Sequence, residues 1–200
     1  MTRTLIAAGL LAGLTLAGLT LTTLELGSVT AAPASAVLVG AGDIASCAFD
    51  GDRQTAALLG NIAGTVFTAG DNAYEDGSSA NFKNCYAPTW GRFLNRTRPT
   101  PGNHDYNTAN AAAYYAYFGA RAGQAGLGYY AFTLSAWRVI MLNSNVDMGA
   151  GSAQLNWLAA ELKANPAKCS LSIWHHPRFS SGYHGSDPRS SAGQSRDTRS

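Results

Sequence analysis

Apolar runs alternate with amphipathic stretches along most of this chain, and the alternation predicts its secondary structure. Runs rich in valine, isoleucine, phenylalanine and tryptophan predict strands at 37–41, 65–69, 129–134, 137–143 and 170–174, and the segment 98–101 is predicted to be short and extended. Helical spacing predicts helices at 52–63 and 154–164, a short aromatic helix at 114–118, and a helical or irregular crossover at 79–94. Strands that alternate with helices are typical of an α/β fold.

The two longer helices each carry apolar residues at helical spacing, so we expect one face of each to pack on the core. Gly64 follows the first of them and is a typical helix stop. The side chains expected to face inward are Ala56, Leu58, Leu59 and Ile62 in the first helix, and Leu155, Leu158 and Leu162 in the second.

The first 36 residues have the pattern of an export signal. Arg3 gives a short positive region, residues 5–24 are uncharged and largely apolar, and Ala34, Ser35 and Ala36 form a small-x-small cleavage site. An uncleaved membrane anchor is the alternative, because the apolar stretch is long enough to span a bilayer. We predict a signal peptide at 1–36, a secreted mature chain, and no stable membrane association after cleavage.

Composition and charge limit the class of protein and the kind of partner that the chain can have. The chain is 46% hydrophobic and 13% charged, which allows a sizeable core in one domain, predicted at 37–189. Its formal net charge is +2 and it has no lysine- or arginine-rich run, so nothing indicates a nucleic-acid partner. Residues 190–200 are polar without apolar periodicity, and we predict a disordered tail there.

Export makes the three cysteines informative, because an oxidising compartment permits disulfides. Cys47 and Cys85 each follow a segment with candidate metal ligands, and we predict that they pair. Such a bond would stabilise the fold by on the order of 4 kcal/mol. The alternative is that these two and Cys169 are three separate thiols.

Polar residues with metal-binding side chains follow four of the apolar runs. In an open α/β sheet, a site lies in the crevice outside the carboxyl ends of the strands. Oxygen and nitrogen ligands suit hard or borderline divalent and trivalent ions. The pattern therefore predicts a metal centre, and its candidate residues are Asp43, Asp71, Asn103, His104, Asp105 and His175.

Residue chemistry suggests a role for each candidate ligand. Asp71 has two carboxylate oxygens and can bridge two metal ions, which lie about 3.5–4 Å apart in two-metal hydrolytic sites. Tyr74 can bring a phenolate to a strongly Lewis-acidic ion such as ferric iron, and the alternative is an ordinary surface-loop aromatic. Asn103 offers a neutral carbonyl ligand, although asparagine is also common in turns.

The histidines divide between metal and substrate. His104 can serve the substrate and donate a proton to a leaving alkoxide, with Asp105 orienting and charge-stabilising its imidazole. His175 and His176 follow the last predicted strand, and one of these imidazoles can bind a metal. His184 lies in the segment 180–185, which we expect to form a flexible loop that can reach a phosphate. The alternative is that these are ordinary surface or core histidines.

The segments GD at 42–43, GDNAY at 70–74, GNHD at 102–105 and HHP at 175–177 occur in an order that resembles the metallophosphoesterase superfamily. Within it they resemble the purple acid phosphatase branch. Most of the superfamily has Asp-x-His in the first motif, whereas this chain has Asp43, Ile44 and Ala45. Tyr74 stands where that branch supplies a tyrosine ligand instead.

The resemblance extends from residue 37 to about residue 189, and it implies a calcineurin-like β-sandwich flanked by helices (α/β/β/α). It also implies an exported, acid phosphatase-like phosphomonoesterase that hydrolyses a small-molecule phosphate ester. The implied site residues are Asp43 and Tyr74 for a first ion, Fe(3+); Asn103 and His175 for a second, divalent ion (iron, zinc or manganese); Asp71 as the bridge; and His104 and His184 on the substrate phosphate.

The chain departs from the family in two places. Ala45 stands where the branch usually has glycine, a small change. The family also uses a Gly-His-x-His loop that gives one ligand to each metal, and no such motif follows His184. We therefore expect a domain truncated before its last strands, with impaired activity. The alternatives are a non-catalytic secreted protein that binds metal or phosphate with this fold, and a phosphodiesterase or nucleotidase.

Overall fold

A computed structural model of the chain describes residues 36–181. The described residues belong to the unit Pro33–Ser200 and contain two three-stranded sheets and several helices, which confirms the predicted α/β class. Within this range every helix is too short or too polar to span a bilayer. Residues 1–35 of the predicted signal peptide, the tail at 190–200 and His184 lie outside the described residues.

The first sheet consists of β1 (Leu38–Ala41), β2 (Thr65–Ala69) and β3 (Thr97–Thr100), paired in that order. Both pairings are parallel, and Val66 lies opposite a residue of β1 on one side and of β3 on the other. Parallel pairing places the carboxyl ends of all three strands at one edge of the sheet. The segments that carry Asp43, Asp71 and Asn103 begin at that edge.

Helical segments connect these strands, as parallel pairing requires. Helix α1 (Gly51–Gly60) joins β1 to β2. The crossover from β2 to β3 contains α2 (Ser79–Asn81), a π-helical turn (Phe82–Tyr86) and a 3-10 helix (Trp90–Arg96), so the predicted mixture of helical and irregular structure is confirmed. Helix α3 (Ala112–Phe118) comes after β3. Two 3-10 turns precede it, Asp105–Asn107 and Ala109–Ala111, and a third follows it, Gly119–Ala122.

The second sheet consists of β4 (Tyr130–Leu134), β5 (Trp137–Met141) and β6 (Cys169–Ile173). Strands β4 and β5 form an antiparallel hairpin, and β6 pairs parallel to β5. Helix α4 (Ala153–Ala164) connects β5 to β6. The Ser152 hydroxyl begins this helix by accepting a hydrogen bond from the Leu155 amide at 3.2 Å.

The first sheet separates two apolar layers, because successive side chains of a strand point to opposite faces. On one face Val39 and Val66 pack into a core that also contains Ala56 and Leu59 of α1. The opposite face packs against the second sheet, and this layer contains Leu38, Phe67 and Ala69 with Val139, Met141 and Ile173. A helical layer therefore covers one face of the first sheet and the second sheet covers the other.

Strand and helix boundaries follow the sequence prediction to within three residues, but part of the predicted helix faces is wrong. In α1, Ala56 and Leu59 are buried, whereas Leu58 is 64% exposed and Ile62, just after the helix, is 38% exposed. In α4, Leu155 and Leu162 are about two-fifths exposed, at 39% and 41%. Apolar spacing gives the period of a helix, while its rotation about the axis is fixed by what it packs against.

The predicted disulfide between Cys47 and Cys85 is present, with 5.0 Å between the two Cα atoms. It joins the segment between β1 and α1 to the π-helical turn of the next crossover. Cys169, the first residue of β6, is a half-buried free thiol.

Candidate metal centre

The carboxyl ends of four strands bring the predicted metal ligands to one place. Asp43 follows β1, Asp71 follows β2, Asn103 follows β3 and His175 follows β6. Ligand atoms of Asp43, Asp71 and His175 all lie within 4.8 Å of one another. Asn103 Oδ1 lies 3.1 Å from His175 Nε2 and joins the same group.

Two of these carboxylates lie on strained backbone. Asp43 has φ 55° and Asp71 has φ 49°, in the left-handed region that residues other than glycine seldom occupy. Backbone hydrogen bonds hold the two turns side by side, with the Asp43 amide donating to Gly70 and the Ile44 amide to Asp71 at 3.0 and 2.9 Å. Strain of this kind concentrates at functional sites, where surrounding contacts maintain it.

Glycines allow the loops to approach this closely. A Cβ added at Gly102 would overlap Oδ1 of Asp71, and one added at Gly70 would lie 2.6 Å from the His175 ring. Gly70 also has φ 89°, which disfavours any side chain. The motifs GDNAY and GNHD therefore contain glycine at 70 and 102 because the His175 imidazole and the Asp71 carboxylate occupy the space a side chain would need.

Asp71 lies between Tyr74 on one side of the centre and His175 on the other. Its side chain is 3% exposed, and Oδ1 accepts a hydrogen bond from the His104 amide at 2.8 Å. Oδ2 lies 2.9 Å from the Tyr74 hydroxyl and 3.5 Å from His175 Nε2. Both oxygens were expected to be available for bridging. In the structure the His104 backbone amide binds Oδ1, so Oδ2 alone lies between Tyr74 and His175.

Tyr74 lies between two carboxylates rather than on an open surface loop. Its hydroxyl donates to Asp43 Oδ1 at 2.5 Å and lies 2.9 Å from Asp71 Oδ2. Burial raises the pKa of the phenol well above its ordinary value, and the hydrogen bond to Asp43 and the charge of Asp71 raise it further. The phenol therefore stays protonated unless a strongly Lewis-acidic cation replaces its proton.

His175 presents a lone pair to the centre. Its Nδ1 lies 2.9 Å from the carbonyl oxygen of Ala69, which can only accept, so a neutral ring carries its proton on Nδ1. Nε2 is then an acceptor, and it faces two further acceptors, Asn103 Oδ1 and Asp71 Oδ2. Three lone-pair atoms that converge without a proton between them fit a cation, and an imidazole tied to a carbonyl is a common arrangement for a metal ligand.

His104 lies beside this group but is oriented differently from the prediction. Its Nδ1 forms a short hydrogen bond with the Glu75 carbonyl, and its ring packs on Tyr74 with centroids 4.5 Å apart. Its Nε2 is 3.9 Å from Asp71 Oδ2, and the side chain is 31% exposed. Asp105 does not orient this ring as predicted, because the ring pairs with the Glu75 carbonyl while the Asp105 carboxylate accepts from Gly102 and Asn72.

Asp105 has a structural place instead. It is fully buried, and its carboxylate accepts hydrogen bonds from the Gly102 amide at 2.8 Å and from Asn72 Nδ2 at 2.9 Å. The Asn72 amide also donates to it at 3.3 Å. Burial raises the pKa of Asp105 to about 6, and these hydrogen bonds oppose the rise. The residue ties the loop after β2 to the loop after β3.

Two buried residues that support the site, Asn72 and Ser144, were not predicted from the sequence. Asn72 is fully buried, and its Nδ2 also donates to the Thr100 carbonyl at 3.0 Å. Ser144 Oγ lies 2.7 Å from His176 Nδ1, and the His176 ring packs on the His175 ring with centroids 4.9 Å apart. His176 is therefore next to the ligand group and not part of it. Asn72 stands within the GDNAY motif and was visible there, whereas the sequence carries no local signal for Ser144.

The centre therefore contains the five predicted ligands Asp43, Asp71, Tyr74, Asn103 and His175, with His104 at its exposed side. Their mutual distances are the basis for assigning a chemistry to the site. No protein-family model matches the sequence, and comparison with curated proteins gives no match either.

Proposed function

We propose that this chain is an exported, metal-dependent hydrolase of phosphate monoesters with a calcineurin-like fold, similar to purple acid phosphatases. One observation carries the proposal. Oδ2 of the buried Asp71 lies between the Tyr74 hydroxyl and His175 Nε2, at 2.9 and 3.5 Å, with His104 beside it. A carboxylate oxygen between two ligand sets suits a pair of metal ions, which lie about 3.5–4 Å apart in two-metal hydrolytic sites.

The two ligand sets differ in charge. Asp43, Tyr74 and Asp71 are all anionic when the phenol is deprotonated, and this set suits ferric iron. Asn103 and His175 are neutral and share Asp71, which suits a divalent ion such as iron, zinc or manganese. When bound, the two ions would offset negative charge on the phosphoryl group and lower the pKa of a water molecule.

The remaining groups orient and protonate the ester. The Glu75 carbonyl accepts from His104 Nδ1, so the ring turns its Nε2 toward the centre. A protonated His104 can then donate from Nε2 to the leaving alkoxide, as a general acid does. Because its side chain is 31% exposed, substrate can reach it from solvent.

The direct test compares metal content and hydrolysis in two variants. Asp71→Asn keeps the size of the side chain and an oxygen acceptor for the His104 amide, but it removes the negative charge at the shared oxygen. Asp50→Asn is the matched control, because that carboxylate is 79% exposed and pairs with Arg53.

We expect elemental analysis to find bound metal in the parent chain and in Asp50→Asn, and to find little in Asp71→Asn. Loss of an outer-shell partner typically costs a metal site 10–100-fold in affinity, so loss of this ligand should cost at least roughly 100-fold. Hydrolysis of phenyl phosphate should fall in parallel. Equal metal content in the two variants would overturn the assignment, and metal binding without hydrolysis would favour the non-catalytic alternative.

A further inference from the structure

A cavity of about 430 Å³ lies against the candidate metal centre. Asp43 and Tyr74 form the wall that the cavity and the centre share. The rest of its lining includes the apolar side chains of Ile44 and Phe49 and, further round, Asp52. A group bound here would therefore be adjacent to the phosphate of an ester held at the centre.

Asp52 is a buried carboxylate that has no partner among the described residues. The residue is 5% exposed, yet within 36–181 its carboxylate makes neither a hydrogen bond nor an ion pair. The nearby Asp50 is different, since it is exposed and pairs with Arg53 at 3.3 Å. Buried charges are normally paired. The start of helix α1 stabilises the charge of Asp52 in part, and the residue lines the cavity.

The other lining groups match a positively charged organic group. Phe49 is 75% exposed and presents an aromatic ring, whose face attracts cations. Glu75 adds a further carboxylate to those of Asp43 and Asp52, and among residues 36–181 the lining contains neither lysine nor arginine. An anionic group would meet the charges of Asp52 and Glu75, and a neutral group would leave Asp52 unpaired. An ammonium group offsets both charges and can pack on Phe49.

We propose that this cavity binds the alcohol part of the substrate and selects phosphate monoesters whose alcohol carries an ammonium group. The proposal rests on the proposed function, because it takes the phosphate to lie at the adjacent metal centre. Asp52 is then the residue that recognises the ammonium, and Phe49 and Glu75 assist it.

A binding experiment tests the cavity without relying on catalysis. Benzylammonium is titrated into the chain and followed by calorimetry, with benzyl alcohol as the neutral probe of the same size. The variants are Asp52→Asn, Glu75→Gln and, as control, Asp50→Asn. Because Asp52→Asn removes an unpaired buried charge and keeps the shape, we expect it to fold. Benzylammonium should bind roughly tenfold more weakly to Asp52→Asn, as expected for loss of a charge-assisted hydrogen bond.

A kinetic experiment tests the selectivity. It compares kcat/KM for 4-(aminomethyl)phenyl phosphate and 4-(hydroxymethyl)phenyl phosphate, which differ mainly in the charge of the distant group. The parent chain and Asp50→Asn should prefer the ammonium ester. This preference should fall roughly tenfold in Asp52→Asn and by less in Glu75→Gln, because Glu75 is more exposed.

The outcomes separate the two proposals. If the chain hydrolyses both esters equally well, or binds benzylammonium no better than benzyl alcohol, the cavity assignment is overturned and the phosphatase proposal stands. If benzylammonium binds in an Asp52-dependent way but neither ester is cleaved, the phosphatase proposal fails and the cavity is a cation site of another kind. An ester preference that survives in Asp52→Asn also overturns the assignment.

Discussion

Replacement of Asp105 by alanine sets two opposing effects against each other. The fully buried carboxylate accepts hydrogen bonds from the Gly102 amide and from two groups of Asn72, at 2.8, 2.9 and 3.3 Å. Asp105→Ala leaves these donors without their acceptor, which costs about 1–3 kcal/mol for each unsatisfied group. The same change also removes a carboxylate that must be kept ionised in a buried place at neutral pH.

The pH dependence isolates the second effect. Burial raises the pKa of Asp105 from 3.8 to about 6, so the folded state binds this proton more tightly than the unfolded state does. The resulting stabilisation is fully present below the unfolded pKa, and it is lost as the pH rises through the folded pKa. It amounts to about 3 kcal/mol at most, and about 2 kcal/mol of it remains at pH 4.5. Asp105→Ala lacks this term.

The assay is urea unfolding of the chain in the presence of a chelator, at pH 4.5 and pH 7.5, with Asp50→Ala as the exposed control. We expect the loss of unfolding free energy in Asp105→Ala to be about 2 kcal/mol larger at pH 4.5 than at pH 7.5. The control should stay within about 0.5 kcal/mol of the parent at pH 7.5. A loss that is larger at pH 7.5 would mean that the hydrogen bonds from Gly102 and Asn72 outweigh burial, and would refute the reasoning.

Three further predictions concern the centre itself. In iron-loaded protein, Tyr74→Phe should remove the visible charge-transfer band while circular dichroism stays unchanged, and a colourless parent protein would contradict a phenolate ligand. His104→Ala should lower turnover by roughly 10²–10⁴-fold with normal metal content, and less for esters with good leaving groups; a uniform loss would indicate that it only positions phosphate. Gly102→Ala should weaken metal binding through its overlap with Asp71, whereas Gly60→Ala, which has open space around it, should not.

The positions of the strands and of the metal-ligand candidates could be predicted from the sequence because both are local properties. A β-branched run followed by a turn with a polar side chain marks a strand end wherever it occurs. Asp43, Asp71 and His175 each follow such a run and Asn103 follows a short extended segment, and parallel pairing brings three of these ends to one edge. The convergence of Asp43, Asp71 and Asn103 therefore follows from the order of elements, whereas that of His175, which follows a strand of the second sheet, does not.

The side of a helix that is buried could not be predicted in the same way. The apolar pattern of α4 suggested that Leu155 and Leu162 face inward, yet the most buried side chain of this helix is Gln154. Its amide pairs with both backbone groups of Asn143, at 2.7 and 3.0 Å, just after β5. A polar residue can thus be the inward one when a strand end offers it a donor and an acceptor, and periodicity contains no record of that partner.

Asp52 and Asp105 show why the roles of acidic residues could not be assigned from the sequence. Each is buried, and each is close in sequence to a residue whose role is easier to infer, as His104 is beside Asp105. Asp105 is surrounded by N–H donors, one from its own loop and two from Asn72, which lies 33 positions earlier, so it holds the fold together. Asp52 has no such donors among the described residues and opens into a cavity. The N–H donors that bind a buried carboxylate come largely from segments distant in sequence. Only the folded chain therefore distinguishes a carboxylate whose hydrogen bonds are already made from one that is open to a ligand.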